Sequence, residues 1–118
     1  MHRMLTIEIV SDVVCPWCFI GTRRLETAVA MVRSQVPDFS YQKRWLPFFL
    51  NPDTPPEGEP YLPFLEHKFG SRAAVDALFG RIREAGRAYG IDYALEKIEL
   101  RANTLRAHRL IHWAQQRG

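Results

Sequence analysis

The sequence predicts an α/β fold in which a strand–helix–strand unit is followed by an all-helical segment. Two stretches of strand character, Leu5–Val10 and Phe39–Leu46, enclose a segment with helical spacing. A proline-rich break spans 51–60, and only helical patterns follow it. Composition agrees with a packed domain: 118 residues, 47% apolar and 25% charged, suffice for one core without staples. Collagen-like, coiled-coil and wholly disordered classes are excluded on the same figures.

Each element has a local cause. Leu5, Ile7 and Ile9 alternate with Thr6, Glu8 and Val10 in a β-branched first strand. Ser11 to Val14 form a turn, and Pro16 suits the first helical position because its fixed φ and missing N–H cost nothing there, so Cys15 becomes the N-cap. Leu25, Ala28, Val29, Val32 and Val36 then recur at helical spacing for about five turns, closed by Pro37-Asp38. Phe39–Leu46 reads as a second strand parallel to the first, because a crossover helix joins them. The four prolines and single glycine of the 51–60 segment predict a connecting loop without regular structure.

The rest of the chain reads as three helices. A short one spans Tyr61–Phe69 and stops at Gly70; Ser71 caps a longer one carrying Val75, Leu78, Phe79, Ile82 and Tyr89, ended by Gly90. Asn103 or Thr104 caps the last, which carries Leu105, His108, Ile111 and His112. The division expected is 1–52 for the strand–helix–strand unit and 53–118 for the helical part. Only two strands are found, whereas parallel sheets normally have both faces covered. The expectation is therefore that the chain is the first part of a longer polypeptide, or that it forms a homo-oligomer through the open sheet edge.

No apolar run approaches the length of a membrane span, and Met1-His2-Arg3-Met4 leads into the first strand without a hydrophobic leader. A cytoplasmic protein with no membrane partner is expected. The net charge of +3 comes from 16 basic and 13 acidic residues scattered along the chain, which argues against nucleic acid. The only two cysteines, Cys15 and Cys18, form a C-x-x-C pair. In a reducing compartment such a pair points to chemistry.

A thiol attacks as thiolate, and the unpaired N–H groups and positive dipole end of a helix stabilise that anion. This predicts a lowered pKa and an exposed sulfur for Cys15. Cys18, one turn inside the helix and shielded by it, is the natural resolving thiol. Pro16 stiffens the turn, and Trp17 offers an apolar surface where an extended substrate can rest. The same pair can instead form half of a tetrahedral zinc site with His108 and His112, spaced i and i+4, or be inert and buried. Against zinc stands Pro-Trp between the cysteines where small residues are usual, so no metal is expected. Asp12 lies near the sulfur, where its charge opposes a thiolate, so turn formation is its expected task.

Ser11-Asp12-Val13-Val14-Cys15-Pro16-Trp17-Cys18, followed by Ile20-Gly21 and Arg24-Leu25, resembles the DsbA-like thioredoxin family, and within it the cytoplasmic FrnE-type branch. The resemblance continues through Trp45–Phe48, Leu50–Pro52, Lys68–Gly70, Gly90-Ile91, Asn103-Thr104, Ala107–Leu110 and Trp113-Ala114. It implies a thioredoxin-like βαβ unit with an inserted helical subdomain. The C-terminal strands and the cis-proline loop that members carry farther along are absent from these 118 residues. It implies a thiol–disulfide oxidoreductase with Cys15 and Cys18 catalytic and thiol or disulfide compounds, protein or small, as substrates. No bound cofactor is implied beyond glutathione as a thiol co-substrate. His108 matches a family position on the helical subdomain that faces the active-site cleft, and it either faces that cleft or packs within the helices; with Pro16 and Trp17 it completes the expected substrate-binding residues. Glu8 is either a proton acceptor near Cys18 or a partly exposed strand residue. Related 2-hydroxychromene-2-carboxylate isomerases and kappa-class glutathione transferases share the architecture and keep a single serine or cysteine at the helix start. A glutathione-dependent isomerase or transferase is therefore the alternative enzyme, and a truncated remnant binding zinc or a partner the non-enzymatic one.

Overall fold

A computed structural model of the chain describes residues 4–118; Met1–Arg3, part of the segment read above for a leader, lie outside the described residues. The elements are β1 (Leu5–Ser11), α1 (Pro16–Gln35), β2 (Tyr41–Pro47), β3 (Glu59–Pro60), α2 (Tyr61–Phe69), α3 (Arg72–Arg87), a 3-10 turn (Leu95–Lys97), β4 (Leu100–Arg101) and α4 (Leu105–Gln115). They group into two compact units, one reaching Leu50 and resuming at Thr104–Gly118, the other Asn51–Asn103.

In the first unit β1 and β2 pair in parallel, in register from Leu5 beside Tyr41 to Ser11 beside Pro47. The second strand thus starts two residues later than its composition suggests, because Val36–Phe39 is a turn closed by Phe39 N–H on the Val36 carbonyl at 2.9 Å. Pro16 occupies the first turn of α1 and Cys15 is its N-cap, in extended backbone with φ −93° and ψ 112°. Ile20 and Val29 are buried, but Val32 and Val36 of the expected apolar stripe are exposed. Two strands about 5 Å apart give a helix of about 10 Å diameter too little surface to cover the whole stripe.

The outer side of β2 is not bare. At Trp45 the Gln115 side chain of α4 accepts the backbone N–H on Oε1 at 2.6 Å and donates Nε2–H to the backbone carbonyl at 3.0 Å. One primary amide therefore does for Trp45 what a neighbouring strand residue would do. This places the last helix with the strand pair, and not with the helical segment that the sequence division at 52/53 extends to the chain end.

In the second unit Leu65, Val75, Phe79, Ile82 and Leu95 form the core, with Tyr61, Leu62, Phe64, Leu78 and Tyr93 packed around it. The stripe of α3 at i, i+4, i+7 is what buries there. Ser71 caps α3 by accepting the Ala74 N–H on Oγ at 3.0 Å. Gly70 ends α2 in the left-handed region at φ 95°.

The proline-rich segment departs from expectation. Its last two residues form β3, antiparallel to β4, with Glu59 opposite Arg101 and Pro60 opposite Leu100. Pro60 is tolerated because the ladder is only two residues long and Pro lies at its end. Gly58 makes the approach possible: at φ 84°, a Cβ there would lie 2.8 Å from the Arg101 carbonyl oxygen and from Leu100 Cγ. Asn103 Nδ2–H donates to the Thr54 carbonyl at 2.7 Å, and the Arg101 guanidinium lies 4.3 Å from the Phe64 ring centroid. These contacts join the two ends of the unit.

Candidate functional site

The site begins at the turn between β1 and α1. Cys15 N–H donates to the Asp12 carbonyl at 3.1 Å, closing a four-residue turn that delivers Cys15 to the head of the helix. Its own carbonyl then accepts Cys18 N–H at 3.1 Å and Phe19 N–H at 3.3 Å, so Cys18 sits one turn along. Both cysteines are unpaired and half-buried. The expected contrast between an exposed Cys15 and a shielded Cys18 is absent. Cys18 instead lines a shallow cleft with Ile9, Val10, Gly21 and Leu25.

The electrostatics of Cys15 also differ from expectation. Burial pushes the Cys15 thiol up, and a side-chain hydrogen bond with Cys18 adds to the rise by favouring the neutral form. The backbone N–H groups of Cys18 and Trp17 act in the anticipated direction and favour thiolate, but they do not outweigh the first two. The expectation of a lowered pKa is corrected accordingly. It counted the helix amides and left out the cost of removing a sulfur anion from water.

Trp17 is 44% exposed and Pro16 is half-buried. Glu8 is exposed on β1, which matches the solvated of its two expected states. His108 is only 7% exposed. Its Nε2 lies 3.1 Å from Asp12 Oδ1 and 3.2 Å from the Phe48 carbonyl, and its ring meets Phe49 edge-on at 4.9 Å between centroids. The ring therefore packs against the turn before α1 and the segment after β2, and not against other helices as the second of the two expected placements had it. His112 is exposed. Among the described residues no three His, Cys, Asp or Glu side chains come together as a metal-binding group, so Cys15, Cys18, His108 and His112 do not converge.

Asp12 does more than turn the chain. Beyond its carbonyl bond to Cys15, its Oδ2 accepts the Leu50 N–H at 2.9 Å, and the residue is 2% exposed. Sequence reasoning placed it in the turn and missed its partners, which lie 38 and 96 residues away. Adjoining His108 is a cavity of about 250 Å³ walled by Ser11, Trp45, Pro47 and Ile111.

The chain matches the DSBA-like thioredoxin domain over residues 6–118. It belongs to that family. Among solved structures it resembles the crystal structure of a probable DsbA oxidoreductase from Streptomyces coelicolor, with a TM-score of 0.80 and 29% identity. The superposition covers 97% of this chain and 48% of the Streptomyces one, so the chain spans about half that relative's length. No curated protein matches the sequence. The mixed α/β architecture is thus a DsbA-like thioredoxin fold, and among the described residues no helix is long and apolar enough to cross a membrane.

Proposed function

We propose that this chain carries the dithiol site of a cytoplasmic, FrnE-type thiol–disulfide oxidoreductase, with Cys15 as the attacked sulfur and Cys18 as the resolving one. The observation that carries this reading is the placement of Cys15 as N-cap of α1 with Cys18 one turn inside, near enough for the two thiols to hydrogen-bond.

In the oxidising direction a substrate thiolate attacks Cys15 Sγ, the Cys15–Cys18 bond breaks, and Cys18 leaves as thiolate and takes a proton. A second substrate thiolate attacks the substrate sulfur of the mixed disulfide and expels Cys15 as thiolate. Two electrons pass from the substrate to the pair. The reverse sequence reduces a substrate disulfide, and glutathione is a suitable thiol for either step. Pro16 stiffens the loop and Trp17 gives an apolar rest for the incoming chain.

Trapping decides the assignment. Cys18→Ser should accumulate a mixed disulfide with a model thiol substrate, seen as a mass adduct on Cys15, and Cys15→Ser should not. An adduct forming only on Cys18 overturns the roles.

A further inference from the structure

The dithiol exchange makes no use of the buried pair Asp12 and His108, yet that pair touches the nucleophile's own backbone. Three segments meet on the Asp12 residue. Oδ1 faces His108 Nε2 on α4 at 3.1 Å, Oδ2 accepts Leu50 N–H beyond β2 at 2.9 Å, and the carbonyl accepts Cys15 N–H at 3.1 Å. Nε2 has two acceptors around it, Asp12 Oδ1 and the Phe48 carbonyl at 3.2 Å, so it must carry a hydrogen. The titratable groups in this contact are Asp12 and His108 themselves, with His112 on α4 bordering the adjoining cavity.

We propose that Asp12 and His108 are positioning residues for Cys15: their buried hydrogen bond locks the 12–15 turn so that the first-turn amides of α1 stay aimed at the Cys15 sulfur. The inference rests on Cys15 being the attacked sulfur. A rival effect has the opposite sign. A carboxylate acting on the sulfur only through its charge disfavours the thiolate, so its removal would speed the reaction. A lock that aligns amides favours the thiolate, so its removal slows the reaction.

The substitutions separate these. Asp12→Asn keeps the shape but sets an NH2 against either Leu50 N–H or His108 Nε2–H, so one bond is lost. His108→Gln places an amide N–H where Nε2 stood. His108→Asn carries the same amide one methylene short of Asp12.

The measurement is Cys15 alkylation by iodoacetamide as a function of pH, in a Cys18→Ala background where a single thiol reports, with circular dichroism to verify folding. Asp12→Asn and His108→Asn should move the midpoint up by about one unit, a roughly tenfold slower rate at neutral pH, while His108→Gln stays within about twofold of the parent. Faster alkylation in Asp12→Asn overturns the proposal in favour of a charge effect. Equal rates in His108→Gln and His108→Asn overturn it even if Asp12→Asn does not fold. Trapping on Cys18 instead of Cys15, in the experiment above, removes the underlying assignment separately.

Discussion

Cys15 shows how one residue combines a position legible in sequence with an energy that is not. Pro16 and the flanking patterns mark the helix start, so the N-cap is readable. The burial that raises the thiol pKa is a property of the folded surroundings and leaves no mark in the local pattern. The consequence has a definite sign: a thiol with a raised pKa is mostly neutral at neutral pH, so its alkylation rate should climb with pH to a plateau above the range of an ordinary thiol. Cys18→Ala removes the partner that helps to hold it neutral and should lower that midpoint, measured by iodoacetamide kinetics. Linkage adds a stability counterpart. A group whose folded pKa lies above its unfolded value contributes stability at lower pH and loses it as pH rises through the folded value, so the reduced protein should lose stability on the alkaline side.

Elements whose cause lies within a few residues were readable: β1 by alternation, α1 by its proline, α2 and α3 by Gly70 and Ser71. The β3–β4 pair was hidden because a two-residue ladder joining Glu59 to Arg101 has no periodicity of its own, and prolines around it argue for a loop. Gly58→Ala tests that pairing. A Cβ forced against the Arg101 carbonyl in left-handed backbone should cost about 1–3 kcal/mol in urea unfolding. Gln115 was equally hidden, since a helix-end glutamine carries no signal of its target 70 residues earlier. Gln115→Ala leaves both Trp45 backbone groups without their partner and should cost about 1–3 kcal/mol, again by urea unfolding.

Across the molecule, the family was carried by motifs that this chain holds intact, while the energetics of its two units differ. The second unit has a contiguous core, so Phe79→Ala should destabilise it by about 3–5 kcal/mol, read by amide exchange within α3. The first unit has few buried apolar residues and relies more on polar ties, and its α4 carries two of them. His108 reaches the Phe48 carbonyl and Gln115 reaches Trp45. Those helix positions are two turns apart, a rise of about 10.5 Å, and the strand-like path from Trp45 to Phe48 advances about 10 Å. Helix and strand thus work as two rulers with coincident graduations. A single-residue deletion between His108 and Gln115 turns one mark by about 100° and shifts it about 1.5 Å, so only one of the two ties can survive. The length of α4 between these residues is therefore itself a constraint, independent of which amino acids fill it.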